Sequence, residues 1–354
     1  MDEMRNGTTE MGAGTEQHAS QSAAQMASMF AGRTPDADMA AVLAVMQTSG
    51  AKPIETLNAK EARKQPTPAD AVKAVLKQRG ESTAPEAVGN IENRAIAGPD
   101  GEIKIRLYQP AATTSDQLLP AVLYIHGGGW VIADLDVYDA SPRAIANAAR
   151  CLVVSTHYRQ GPENRYPAAH DDVYAAYKWL IANARDLGVD ASRIAVVGES
   201  AGGNLAASIC LTARNEGFQL PVHQVLVYPI AGYDFTTESY REMNAAMPLN
   251  TSMMHWFFDK YLNNPANGQE PAISLDRADL SGLPPATIIN AELDPLRSDG
   301  ELLAKRFKNS GVEATQRTFG GVTHEFFGMA PVVSKAKEAQ RMASDALTKA
   351  FGAA

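Results

Sequence analysis

The run Gly198-Glu199-Ser200-Ala201-Gly202 sets one serine between two glycines. It follows the apolar run Arg193–Val197 and precedes the helix-like run Asn204–Ala213. Strand, sharp turn and helix in that order lift a serine hydroxyl off a sheet edge, where a base can reach it. The glycines permit the tight turn and the close approach of strand to helix. The chemistry open to such a serine is attack on an acyl carbon. That reaction needs a base for the hydroxyl proton, an acid to hold the base, and backbone donors for the oxyanion. A G-x-S-x-G alone occurs in many unrelated chains, so the partners decide.

The candidate oxyanion loop is His126-Gly127-Gly128-Gly129-Trp130, after the strand-like run Ala121–Ile125. Three glycines let main-chain amides turn inward with no side chain in the way. The expected donors are the amides of Gly127 and Gly128, with Ala201 after the nucleophile as the third. The candidate acid is Asp294, at the carboxyl end of the strand-like Ala286–Ala291 and held extended by Pro295. Glu292 is a serious alternative, since it points the same way if the strand continues. Asp299 reads instead as a helix-start residue meeting backbone amides.

The candidate base is His324, in Gly320-Gly-Val-Thr-His-Glu-Phe-Phe327, a glycine-bounded loop after the strand-like Ala314–Phe319. Of the seven histidines, His18 lies in a polar stretch, and His157 and His223 lie in or beside apolar strands. His170 and His255 sit in helix-like segments, and His126 shapes the oxyanion loop. His324 alone completes the chain order Ser, Asp, His of the α/β-hydrolase arrangement.

With these residues in place, the chain resembles the bacterial hormone-sensitive-lipase family of α/β-hydrolases, the family IV esterases. The resemblance rests on His126-Gly-Gly-Gly129, Gly198-Glu-Ser-Ala-Gly-Gly203, Asp294-Pro-Leu-Arg-Ser-Asp299 and His324. Tyr158-Arg-Gln-Gly-Pro-Glu163, Tyr166-Pro-Ala-Ala169 and Asp172 add to it, and it spans roughly residues 50 to 350. It implies an α/β-hydrolase fold, a mostly parallel sheet flanked by helices and covered by a helical cap. Two residues depart from the pattern. Glu199 stands where many relatives have aspartate, and Glu325 where many have a small residue. Neither removes a reacting group; they bear on pH optimum and substrate preference. Tyr158, Arg159 and Asp172 are expected to support the site from behind.

The elements that must position these residues are readable from the pattern. Residues 1–34, rich in Gly, Thr, Gln, Ala and Met, are expected to be a mobile tail. Residues 35–80 carry helical stretches at Asp36–Gln47, with Asp36 as cap, and near Ala69–Lys77. The family resemblance implies that they contribute to the cap. Asn90–Ala97 and Glu102–Tyr108 form a hairpin across Gly98-Pro-Asp-Gly101. From Pro120 strand and helix patterns alternate, as a mostly parallel sheet demands. The core is assigned to 81–230 and 282–354. Between them, residues 231–281 lack a good strand and carry Tyr233, Trp256 and Phe257 among other aromatic and Met residues. Thr251–Leu262 reads as an amphipathic helix. This insertion is read as part of the cap, with Tyr233, Trp256 and Phe257 as expected pocket residues; core packing is the other reading of such a stretch.

Composition sets the outer bounds. The chain has 354 residues, 45% hydrophobic, a net charge of −8 and a pI near 5.4. Acidic charge argues against nucleic acid and anionic membrane surfaces. No apolar run is long enough to span a bilayer. Cys151 and Cys210 read as buried small hydrophobes. No C-x-x-C or H-E-x-x-H pattern occurs, so no metal or other cofactor is expected. A cytoplasmic protein is expected. A processed periplasmic or secreted form stays open, since a removed signal leaves no trace.

The leading function is a soluble serine carboxylesterase acting on small-molecule acyl esters of short to medium chain. A lipase or an amide hydrolase would use the same triad. A non-catalytic ligand receptor is the third alternative, ranked last because Ser200, Asp294 and His324 are all present. The strand Glu313–Phe319 is a candidate sheet edge along which a homodimer would pair.

Overall fold

The computed structural model describes residues 26–111 and 118–352. Eight strands form one sheet: β1 (Asn90–Gly98), β2 (Gly101–Gln109), β3 (Leu119–Ile125), β4 (Leu152–Thr156), β5 (Val189–Glu199), β6 (Gln224–Val227), β7 (Ala286–Leu293) and β8 (Ala314–Thr323). Their spatial order is β1-β2-β4-β3-β5-β6-β7-β8. The β1–β2 hairpin and the β2–β4 pair are antiparallel, and all pairs from β4 to β8 are parallel.

The parallel strands read as continuous apolar runs because both faces are covered. Along β3, Ala121, Leu123 and Ile125 pack into one layer, and Val122 and Tyr124 into the other. The first layer holds buried residues of α5 (Ala168–Ala182), α6 (Ala201–Glu216) and α9 (Arg297–Asn309). The second holds those of α4 (Ala140–Ala148) and α10 (Ser334–Ala350). It also holds those of the N-terminal helices α1 (Ala37–Thr48) and α3 (Pro68–Gln78), which flank the single turn α2 (Ala59–Ala62). Between β6 and β7 lie α7 (Glu238–Glu242) and α8 (Thr251–Tyr261). β8 ends the strand order, at the edge expected for it.

The N-terminal segment departs from expectation. Residues 1–25, read as most of a mobile tail, lie outside the described residues. Residues 26–34 are not tail-like: Met26 and Phe30 are buried in the second layer. Arg33 joins Glu242 of α7 at 2.8 Å. An aromatic ring and a guanidinium with partners elsewhere in the fold override a composition that looks unstructured. Asp36 stands at the N-cap of α1, but its side chain makes no capping bond. It pairs with Lys335 at 2.6 Å instead. Among the described residues, no helix is long and apolar enough to cross a membrane.

Candidate active site

Ser200 sits at the carboxyl end of β5, on the turn into α6. Its backbone is in a region that non-glycine residues rarely adopt, at φ 58° and ψ −119°. The turn survives because the residues two positions to either side, Gly198 and Gly202, have no side chain: a Cβ on Gly202 would stand 2.1 Å from the carbonyl oxygen of Ile125. Strand β3 thus passes directly beneath the start of α6. The Ser200 amide donates to Val227 O at 2.8 Å, which fixes the turn to β6.

His324 and Asp294 meet through a sheet irregularity. Ala291 of β7 pairs with Phe319 of β8, and Leu293 pairs with Thr323. The chain therefore advances two residues on β7 and four on β8. The surplus is a bulge at Gly320 and Gly321, where Gly321 has φ 68°. The glycine-bounded loop expected before His324 is this bulge inside the strand. The next residue on each strand is Asp294 and His324, side by side. Asp294 Oδ2 accepts from His324 Nδ1 at 2.7 Å, and His324 Nε2 lies 2.9 Å from Ser200 Oγ. Leu296 N–H donates to Asp294 Oδ1 at 2.9 Å, so both carboxylate oxygens are engaged. All three side chains are buried.

The rival acids do other work. Glu292 accepts from the Gly321 amide at 2.8 Å and steadies the bulge. Asp299 does meet backbone amides, but those of Ala231 and Gly232, at 3.0 and 3.1 Å, in the loop after β6. Burial raises its carboxyl to about 8 against the pull of those two bonds.

The candidate oxyanion loop is braced from behind. Tyr158 donates to the carbonyls of His126 and Gly127 at 3.1 and 3.0 Å. Burial holds His126 down to about 3, so its ring is neutral. Its Nδ1 donates to Gly127 O at 2.8 Å, and its Nε2 faces His157 Nδ1 at 3.0 Å. Asp172 holds Arg159 at 2.8 Å. Carbonyls turned back into the protein leave the loop amides facing the other way. The amides of Gly127, Gly128 and Ala201 donate to no acceptor among the described residues.

A family model described as alpha/beta hydrolase fold matches residues 122–328. A carboxylesterase of Mycobacterium tuberculosis is 39% identical over 296 residues, covering 81% of this chain and 92% of that protein. An ethyl acetate hydrolase of Pseudomonas putida is 33% identical over 318 residues, covering 88% of this chain and 97% of its own. Among solved structures, an esterase of Pyrobaculum calidifontis superposes with a TM-score of 0.76 at 36% identity, covering 85% of this chain and 95% of that one. An alpha/beta hydrolase enzyme from the metagenome of Lake Arreo superposes with a TM-score of 0.81 at 33% identity, covering 90% and 99%.

The chain belongs to the α/β-hydrolase family. Within it, the chain falls in the hormone-sensitive-lipase-like branch.

In this hydrolase Ser200 and His324 open on a cavity of about 780 Å³. Its wall includes one of the three expected pocket residues. Phe257 lines it, with Met253 and Met254 one turn earlier on the same face of α8. Trp256 points off that face, and its Nε1 donates to Leu57 O at 3.1 Å, joining α8 to the N-terminal segment. Tyr233 packs edge-on against Phe235 and Phe258, 5.2 and 4.9 Å between ring centres, away from the cavity. Further apolar wall comes from, among others, Val45 and Met46 of α1, Ile132, and Met247 and Leu249 before α8. These were not legible one by one, because apolar residues in a helical pattern look alike whether they face a core or a cavity.

Sequence reasoning also missed the setting of the base. The Tyr228 ring lies 4.4 Å from the His324 ring, centre to centre. Its hydroxyl donates to Glu199 Oε2, while Tyr124 donates to Oε1 at 2.5 Å. Burial and the nearby Glu325 raise the Glu199 carboxyl to about 7, against the tyrosine bonds. For His324, burial works against the charged ring. The Asp294 carboxylate, by charge and hydrogen bond, outweighs it with help from Glu325 and Glu199, and the ring titrates above its ordinary value.

Proposed function

We propose that this α/β-hydrolase is a serine carboxylesterase for short- to medium-chain acyl esters. The observation that carries the reading is the unbroken line from Asp294 through His324 to Ser200, opening on the apolar cavity. Ser200 attacks the ester carbonyl as His324 Nε2 takes its proton. The amides of Gly127, Gly128 and Ala201 receive the oxyanion, and Asp294 steadies the imidazolium. His324 then hands the proton to the leaving alcohol. Water enters, gives its proton to His324 and attacks the acyl-enzyme, releasing acid and free serine. The names of the relatives, carboxylesterase and ethyl acetate hydrolase, support an ester as the substrate. A cavity of about 780 Å³ supports a small substrate, being in the range of small-molecule sites. Cys151 and Cys210, both buried and unpaired, support a cytoplasmic setting.

Hydrolysis of p-nitrophenyl esters from acetate to palmitate, wild type beside Ser200→Ala, tests the reading. Turnover that peaks at short or medium chains and disappears in the variant is the expected result. No turnover at any length by folded wild-type protein would remove the esterase reading.

A further inference from the structure

Glu325 follows the base directly, and no step above uses it. Its backbone is left-handed, at φ 69° and ψ 0°, a conformation that a non-glycine residue keeps only where its surroundings impose it. Its side chain is 19% exposed and lines the cavity. Tyr138 donates to Oε1 at 2.6 Å. That oxygen lies 3.9 Å from His324 Nε2. Tyr138 is itself wedged against the oxyanion loop, where a Cβ on Gly127 would meet its hydroxyl at 2.3 Å. The carboxylate is therefore aimed, and its second oxygen takes no donor among the described residues.

Apart from the His324 ring when it carries its proton, the described cavity wall offers it no free cation. The Arg63 guanidinium is committed to Val131 O, Gly161 O and Glu163. Lys52 is exposed. A second carboxylate in the wall, Glu55, holds one oxygen buried without a partner.

His324 Nε2 delivers its proton to the oxygen of the departing alcohol, which must then sit within hydrogen-bond reach of that nitrogen. Glu325 stands beside the same nitrogen. It thus faces the alcohol half of the ester, within reach of a group on the carbon next to the one that bears the ester oxygen. A hydroxyl or protonated amine there would fill the open oxygen. A methyl group would leave a half-dried carboxylate unpaired, and such mismatches discriminate strongly.

We propose that Glu325 sets specificity for the alcohol half of the ester: by accepting a hydrogen bond, it favours monoesters of diols, polyols and amino alcohols over plain alkyl esters. The proposal rests on the esterase reading. The test is kcat/KM for 2-hydroxyethyl butanoate divided by that for propyl butanoate, measured on the full chain in mildly alkaline buffer. Wild type should give a ratio of about ten, the size of one hydrogen bond to a charged acceptor. Glu325→Leu should bring it close to one, and Glu325→Gln, whose amide oxygen still accepts, should keep part of it. Tyr138→Phe, which unfastens the carboxylate, should also lower it, and it carries the test if the leucine variant does not fold. Each ratio is taken within one protein, so a general loss of rate cancels. A wild-type ratio at or below one, or a ratio that survives in both Glu325→Leu and Tyr138→Phe, overturns the proposal. Wild type that hydrolyses neither these esters nor p-nitrophenyl butanoate overturns the esterase reading itself.

Discussion

Two walls of one cavity are built on different physics. On the sheet side each reacting group is held by directional bonds. Ser200 N–H donates to Val227 O at 2.8 Å, Leu296 N–H reaches Asp294 at 2.9 Å, and His324 is held between Asp294 and Ser200. On the side assigned to the cap, Met247, Leu249, Met253, Met254 and Phe257 offer thioether, aliphatic and aromatic surface. Hydrogen bonds hold positions to fractions of an ångström, whereas thioether side chains re-pack around what they meet. On the proposed esterase reading the difference separates two tasks: the sheet side holds the chemistry still, and the cap side adapts to the acyl group.

The largest effect should come from the sheet side. Ser200→Ala and His324→Ala should each lower kcat by about 10⁴ or more, and Asp294→Asn by somewhat less. Single cap substitutions should change kcat on the best ester by less than about tenfold. A cap residue whose loss matched that of His324 would erase the contrast.

Next comes the place where the walls touch. Gly129 has φ 57°, and a Cβ there would lie 2.1 Å from the Phe257 ring. Gly129→Ala should push the ring away, strain the loop, and lower kcat/KM by about 10². Overpacking of roughly 1–3 kcal/mol should lower Tm by several degrees. Adding Phe257→Ala should restore part of the stability, because it empties the space the new methyl needs. A double variant no more stable than Gly129→Ala would place the strain in the loop backbone and not at the contact.

Within the cap, the sharper test sets neighbours against each other. Phe257→Ala and Met253→Ala should shift the ranking of acyl chain lengths, with kcat/KM for the longer esters changing about tenfold. Trp256→Ala should lower Tm through the lost bond to Leu57 and leave the ranking alone. A ranking that moves with Trp256 and not with Phe257 would put the acyl group on the other face of α8.

How much of this was legible in the chain follows the same division. Ser200, Asp294 and His324 could be read because each lies at the end of an apolar strand in a fixed chain order, and strand ends are local signals. The bulge that aligns Asp294 with His324 could not, since register is a property of two strands paired across the sheet. Phe257 lines the cavity and Trp256 and Tyr233 do not, yet the three were not separable in the sequence. Which side of α8 faces the cavity depends on Leu57, a residue distant in sequence. Glu199 and Glu325 were visible as oddities. Their partners Tyr124, Tyr228 and Tyr138 come from separate elements and announce nothing by themselves.

The smallest effect should come from that buried acid network. His324 acts as a base only when neutral, and its ring titrates above the ordinary histidine value because the Asp294 carboxylate outweighs burial. The acid limb of kcat/KM should therefore fall above about pH 6.5. Glu199 is one of the charges that favour the imidazolium, so Glu199→Gln should move the limb toward lower pH. The same carboxyl has an opposite effect on folding. Its folded value of about 7 exceeds that of an unfolded glutamate. The unfolded chain then releases this proton first, and the contribution to stability, present in acid, is lost as pH rises toward 7. Urea unfolding of wild type and Glu199→Gln at about pH 5 and about pH 8 should show a flatter pH dependence in the variant. A limb that stays in place while the stability curve flattens would mean that Glu199 holds Tyr228 without acting on the charge of His324.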